Sequence, residues 1–184
     1  MPVVDYAARE VRFRFTVMGL PGAGKATVLR CIHSSVEPSL RGEFSECPIA
    51  GGQLVRFDFL PIEILHSADH RARVEFLTLS GRVAETAHRA RLLDETDVLL
   101  FVADSQPMRM AENRAILCEI AAQPSLAEVP VVFLYNKRDV PDAASVAEME
   151  RLLNPLGAPA FESVATKGEG LAPTLSALCA LALT

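Results

Sequence analysis

The sequence predicts a three-layer α/β domain on a mostly parallel sheet of about six strands with one antiparallel edge strand, and three observations lead there. Residues 11–32 run from an alternating segment through a glycine-rich loop into a helical pattern. Two continuous apolar stretches, Val98–Ala103 and Val131–Tyr135, have the composition of strands covered on both faces. Apolar residues at helical spacing follow each of them, as a sheet covered by helices requires.

Taken in order, Val11, Phe13, Phe15 and Val17 alternate with Arg12, Arg14 and Thr16, which predicts a half-buried strand. Val28, Leu29 and Ile32 then mark one face of a helix. Glu37 to Gly52 is punctuated by Gly and Pro without periodicity and reads as a loop. Leu54 to Leu60 reads as a strand stopped by Pro61, with Ile62, Ile64 and Leu65 as an optional extension. After the polar turn His66 to Arg71, Arg73 to Leu79 alternates again, so these two strands form an antiparallel hairpin. Gly81 breaks the pattern and Val83 to Leu93 looks helical. The later helices carry Met110, Leu117 and Ile120, then Val146 to Leu153, then Leu171, Leu175, Leu178 and Ala182, with a strand near Ala160–Val164 before the last. No repeat, low-complexity tract or linker divides the 184 residues, so the expectation is one domain over 1–184.

Composition narrows the function classes. Half the residues (50%) are hydrophobic, which excludes a disordered chain. The net charge is −5 and no Lys/Arg run interrupts it, which argues against nucleic acid as a partner. Cys31, Cys47, Cys118 and Cys179 are far apart, so free thiols in a reducing cytoplasm fit better than disulfides or a zinc site. Cys118 and Cys179 fall in apolar helical patterns and are expected to be buried. Asp5, Arg9 and Glu10 interrupt any signal peptide, Pro2 excludes N-myristoylation, and Cys179 is too far from Thr184 for prenylation. No apolar run spans a bilayer, so the expectation is no direct membrane anchor and a cytoplasmic location, with any recruitment to a cell pole made by partners.

The chemistry starts at Met18-Gly19-Leu20-Pro21-Gly22-Ala23-Gly24-Lys25-Ala26-Thr27. A strand, a glycine-rich loop and a helix in this order make a phosphate cradle. Gly19, Gly22, Ala23 and Gly24 let backbone N–H groups converge on one anion, and the helix starting at Lys25 aims its positive end there. Lys25 is placed to reach the outer phosphates. The pattern GxxxxGK normally ends in Ser or Thr, whose hydroxyl binds the accompanying Mg²⁺. Here Ala26 stands in that place; Thr27 follows, but one residue rotates the helix by roughly 100°, which faces its hydroxyl elsewhere.

A second loop follows the second buried strand: Asn136-Lys137-Arg138-Asp139. It sits where open α/β sheets bind ligands, at the carboxyl end of a parallel strand. The Asp139 carboxylate can accept from guanine N1–H and the 2-amino group, a pair that adenine lacks. Asn136 can brace the loop and the base, and the Lys137 stem can lie under the ring. One strand later, Val164-Ala165-Thr166 offers backbone N–H groups toward the guanine oxygen.

With these loops in place, the chain resembles the Ras-like small GTPases and, more closely, the bacterial MglA family of polarity and gliding-motility switches. The resemblance covers nearly the whole chain. It is carried by Phe57-Asp58-Phe59-Leu60-Pro61, Phe101-Val102-Ala103-Asp104-Ser105, Asn136-Lys137-Arg138-Asp139-Val140-Pro141-Asp142-Ala143 and Val164-Ala165-Thr166-Lys167-Gly168-Glu169-Gly170. It implies a P-loop (small G-protein) fold and a cytosolic switch that binds GTP and GDP. It also implies a roadblock-type regulator that stimulates hydrolysis and polarity or motility adaptors that read the GTP form.

The departures from the family are specific. Ala26 replaces Thr. Counting back from Phe57, the metal-binding Thr falls on Ile49 and the catalytic Arg on Gln53. In Thr78-Leu79-Ser80-Gly81-Arg82, the water-orienting Gln has become Arg82. Both side chains that hold Mg²⁺ and both that promote hydrolysis have changed, so Mg²⁺ binding is expected to be weak or absent and hydrolysis slow or lost. Arg82 fits a substitute charge near the γ-phosphate and equally a solvated residue at a helix start. Asp58 reads as structural, and a metal recruited to it through water is the minority alternative. Arg82, His88, Arg89 and Arg91 fit a solvated helix face or an adaptor surface; His66 and His70 lack a third ligand. Two further functions stay open: an interaction module without a nucleotide cycle, and an ATP-using phosphotransferase, which must ignore the Asn136–Asp139 loop.

The base-recognition reading predicts that Asp139→Asn lowers guanine affinity by about 1–3 kcal/mol and raises affinity for xanthine nucleotide. Competition between the two nucleotides measures it; unchanged guanine affinity contradicts the proposed base site.

Overall fold

The computed structural model describes residues 3–6, 9–49, 52–59, 71–81 and 93–183. Their strands form one sheet: β1 (Val3–Asp5), β2 (Glu10–Met18), β3 (Ser45–Ile49), β4 (Gly52–Phe59), β5 (Arg71–Gly81), β6 (Val98–Asp104), β7 (Val131–Asn136) and β8 (Ala160–Glu162). The helices are α1 (Lys25–Ser35), α2 (Met110–Ala121), α3 (Val146–Leu153) and α4 (Leu171–Leu181). The spatial order is β3-β4-β5-β2-β6-β7-β8, with β1 antiparallel to the start of β2. β2, β5, β6, β7 and β8 are mutually parallel where they pair, while β4 runs antiparallel to β5. This is the mixed, mostly parallel α/β sheet that the sequence predicts, hairpin included.

Burial follows the pattern of the strands. All of β6 is buried, because helices cover both of its faces. Val98, Leu100 and Val102 join Phe15, Val17, Leu29, Ile32 and Leu178 on the α1/α4 side. Leu99, Phe101 and Ala103 join Met110, Phe133, Met149 and Leu153 on the α2/α3 side. Phe15 and Phe76 meet edge-to-face at 5.3 Å, a quadrupole-favoured contact between β2 and β5. Each such fully buried side chain contributes about 1.5–3 kcal/mol, so the sheet centre is the rigid part on which the loops stand.

Three expectations change. Part of the Glu37–Gly52 loop is a strand: β3 pairs with β4 in the register Ser45–Arg56 to Ile49–Gly52. Among the described residues its one strand neighbour is β4, and Pro48 within it suits an edge position, where a missing N–H costs no ladder bond. β1 was likewise not expected from the sequence. Cys118 is exposed, not buried, whereas Cys179 is buried. The buried stripe of α2 runs through Met110, Asn113 and Ile120, and Cys118 lies off it. Of the expected helix Val83–Leu93, residues before 93 lie outside the described residues, as do Ile62–Leu65 and the turn from His66 to His70. Among the described residues, no helix is long and apolar enough to cross a membrane.

Candidate functional site

The glycine-rich loop joins β2 to α1 at the carboxyl end of the parallel strands. Lys25 is 5% exposed, and its ammonium folds back over the loop, donating to Gly19 O at 2.9 Å and Leu20 O at 2.8 Å. The Ala23 N–H closes a turn onto Leu20 O at 3.1 Å. Gly24 precedes the helix with φ near +100°. A Cβ there would lie 2.4 Å from Asn136 Nδ2, so the position excludes any side chain twice over, by conformation and by space. Ala26 packs its methyl against the α1/α4 core, and Thr27 is half-buried beside it.

Asn136 ends β7 and is 2% exposed. Its amide spans three segments. Nδ2 donates to Ala23 O at 2.8 Å, in the glycine-rich loop. Oδ1 accepts from Ser163 Oγ and from the Ala165 N–H, both at 3.0 Å, in the segment after β8. The Ala165 N–H is therefore committed to Asn136, and Thr166 beside it is exposed. Cys31 of α1 adds a second tie, its thiol donating to Ala165 O at 2.9 Å.

Lys137 has φ near +64°, a left-handed turn that sends the chain sharply out of β7. Its ammonium pairs with Asp104 Oδ2 at 2.6 Å. Asp104 is 2% exposed, and its second oxygen accepts from the Gln106 N–H at 3.1 Å. Asn113 of α2 holds the Asp104 backbone on both sides, accepting from its N–H at 3.2 Å and donating to its carbonyl at 2.8 Å. A buried carboxylate without these partners would cost about 3–5 kcal/mol, so the pair fixes where Lys137 lies. Arg138 points away and binds Glu162 and the Ala144 carbonyl. Asp139 is exposed, and among the described residues none hydrogen-bonds to its carboxylate.

Gln53 lies in β4 opposite Ser80, and Ile49 in β3 opposite Gly52. The register pairs Val17 with Thr78, so Gln53 and Ser80 reach the sheet end from which the glycine-rich loop departs. Thr78 is buried and donates to Val17 O at 2.7 Å. Arg82, His88, Arg89 and Arg91 lie outside the described residues. Sequence reasoning missed Asp104, Asn113 and Ser163 as site residues. The available signal was positional: Asp104 closes a fully apolar strand, and Ser163 directly precedes the third loop.

Loops at the carboxyl ends of parallel strands, with Gly24 and Lys25 at a helix start and Asn136 joining the loops, are the arrangement of a small GTPase of the P-loop class. The sequence profile of the ADP-ribosylation factor family matches residues 81–181. The mutual gliding-motility protein MglA of Myxococcus xanthus (strain DK1622) is 33% identical across 100% of this chain and 97% of its own length. The ADP-ribosylation factor-like protein alp41 of Schizosaccharomyces pombe is 26% identical over 79% of this chain and 70% of its own. The ADP-ribosylation factor-like protein 3 of Caenorhabditis elegans is 27% identical over 80% and 72%. The chain belongs to the MglA family of Ras-like small GTPases.

The amide of Asn136 predicts a test that separates bracing from base recognition. Asn136→Ala strands Ala23 O, Ser163 Oγ and the Ala165 N–H, and should lower unfolding stability by about 2–4 kcal/mol with loss of nucleotide. Asp139→Ala, at an exposed position, should change stability by no more than about 0.5 kcal/mol. Denaturant melts of the two variants give the answer; equal stability losses contradict the bracing role.

Proposed function

We propose that this protein is a guanine-nucleotide switch for cell polarity or gliding motility, acting as a single G domain in the cytoplasm, with slow or lost GTP hydrolysis. One observation carries the reading. Asn136 bonds the loop of Ala23 and the loop of Ala165 at once, while the Asp139 carboxylate stays open to solvent. In this reading Gly22 and Gly24 offer N–H groups and Lys25 its ammonium to the phosphates. Gly19, Ala23, Ala26 and Thr27 shape the cradle. Asn136, Lys137 and Asp139 select guanine, with Ala165 and Thr166 beside the base. The partners that fit are a roadblock-type regulator and polarity or motility adaptors, with any recruitment to a cell pole made through them. MglA of Myxococcus xanthus carries gliding motility in its name and supports the cellular role.

The residues present fit the phosphates better than they fit a metal held by side chains. Left-handed Gly24 and buried Lys25 make an anion cradle. Ala26 has no hydroxyl, and its methyl packs into the core. Ile49, aligned with the second family ligand, offers no oxygen in its side chain. Mg²⁺ would then be held mainly by phosphate and water, which suits an ion that sheds its waters reluctantly. Gln53 and Arg82 replace the Arg and Gln that act in hydrolysis in the family, so positioning of water and neutralisation of developing charge both suffer. These same changes favour a second reading, an interaction module without a nucleotide cycle.

Nucleotide extracted from freshly purified protein distinguishes the readings: guanine nucleotide supports the switch, none supports the module, and adenine nucleotide contradicts both. Single-turnover hydrolysis of labelled GTP should be far slower than in an activator-stimulated relative. Guanine-nucleotide affinity should be nearly equal in Mg²⁺ and in EDTA, and Ala26→Thr combined with Ile49→Thr should make it magnesium-dependent. Tight binding that collapses in EDTA contradicts this account of the metal.

A further inference from the structure

We propose that Arg109 is a positioning residue of the phosphate loop: it holds the Pro21 carbonyl and thereby aims the Gly22 N–H into the cradle. The inference rests on the reading of residues 18–27 as the phosphate site and adds a residue from a different part of the chain.

Arg109 closes the short 3-10 turn Pro107–Arg109 at the start of α2. Its Nη2 donates to Pro21 O at 3.2 Å, across 88 residues of sequence. Its Nη1 is held by both oxygens of Glu112, each at 2.8 Å, one helical turn further on. Among the described residues, Arg109 is the arginine whose side chain reaches this loop.

The geometry of one peptide plane gives the contact its consequence. The carbonyl of Pro21 and the N–H of Gly22 belong to the same trans peptide and point in opposite directions. Holding the carbonyl outward turns the N–H inward. Pro21 has its own φ fixed by its ring. Gly22 has φ near +80°, and a Cβ there would meet nothing within 4 Å. Glycine at 22 therefore serves conformation, not space, and it leaves the peptide plane free to swing. Arg109 removes that freedom from the Pro21 side. A cation on the carbonyl also polarises the amide and makes its N–H a better donor to an anion. Glu112 stops the guanidinium from reaching elsewhere and neutralises most of its field, so Arg109 acts through the peptide and not as a bare charge on the phosphate.

The full-length protein tests this by two readouts. In amide NMR spectra of Arg109→Ala, the Gly22 proton should move upfield while Gly24 stays within its usual range. Release of fluorescent GDP should quicken by about three- to tenfold, as for one partly exposed charge-assisted bond, with guanine-over-xanthine preference unchanged. Arg109→Lys keeps the charge without the fork and should recover part of both effects; Glu112→Gln should give smaller shifts in the same direction. If Arg109→Ala does not fold, these two variants decide the matter. Unchanged Gly22 shift and unchanged release overturn the proposal, and so does an equal shift at Gly22 and Gly24, which signals general loosening. A natural protein that binds no guanine nucleotide overturns the functional reading instead; the Gly22 resonance without nucleotide then still reads the Arg109 bond.

Discussion

The site depends on one buried side-chain amide. Asn136 is the point where β7, the loop before α1 and the loop after β8 are joined, through Ala23 O, Ser163 Oγ and the Ala165 N–H. Loops at strand ends are ordinarily the least constrained parts of an α/β domain. Here they share a donor and an acceptor on a residue that is itself anchored in a strand paired along its whole length with β6. Gly24 has to be glycine because that amide occupies the space its side chain would need. Segments tied to one another through a single amide cost a ligand that touches all of them less binding energy to order than three independent loops would.

Electrostatics is arranged around the same centre. Lys25 and Lys137 both have protein partners, the first the loop carbonyls and the second buried Asp104. Asn113 fixes Asp104 by its backbone, so α2 contributes to the base side of the site, while Arg109 connects α2 to the phosphate side. What the chain lacks is a hydroxyl at Ala26. The charge of a bound polyphosphate falls mainly to an ammonium, backbone N–H groups and a helix end, all of them fixed parts of the scaffold. Such a site is built to hold charge steadily. That property fits the proposal of a slow switch better than a fast one.

Much of this was legible in the sequence because the signals are local. The alternation of Val11–Val17, the apolar run Val98–Ala103 and the Gly-rich loop each specify their element within a few residues, and β2, β6 and β7 lie where these patterns place them. β3 was not legible: Ser45–Ile49 has no alternation and contains Pro48, and it is a strand because β4 offers it an edge. Cys118 looked buried because its neighbours Leu117 and Ile120 set an apolar pattern, yet one residue's rotation carries it off the stripe. Asp104, Ser163 and Arg109 were illegible as site residues for a different reason. Their partners Lys137, Asn136 and Pro21 are brought to them only by the order of strands in the sheet. The sequence marks Asn136 as a brace for its loop and the base, but which loops it joins is a property of topology.

The central claim is that the Asn136 amide ties these loops together, and hydrogen exchange at one amide tests it most directly. The Ala165 N–H is buried and donates to Asn136 Oδ1. In nucleotide-free protein of natural sequence it should exchange slowly, comparably to amides of β7, and nucleotide should slow it little further. Exchange at the rate of an open loop, with protection appearing only when nucleotide is added, would contradict the account.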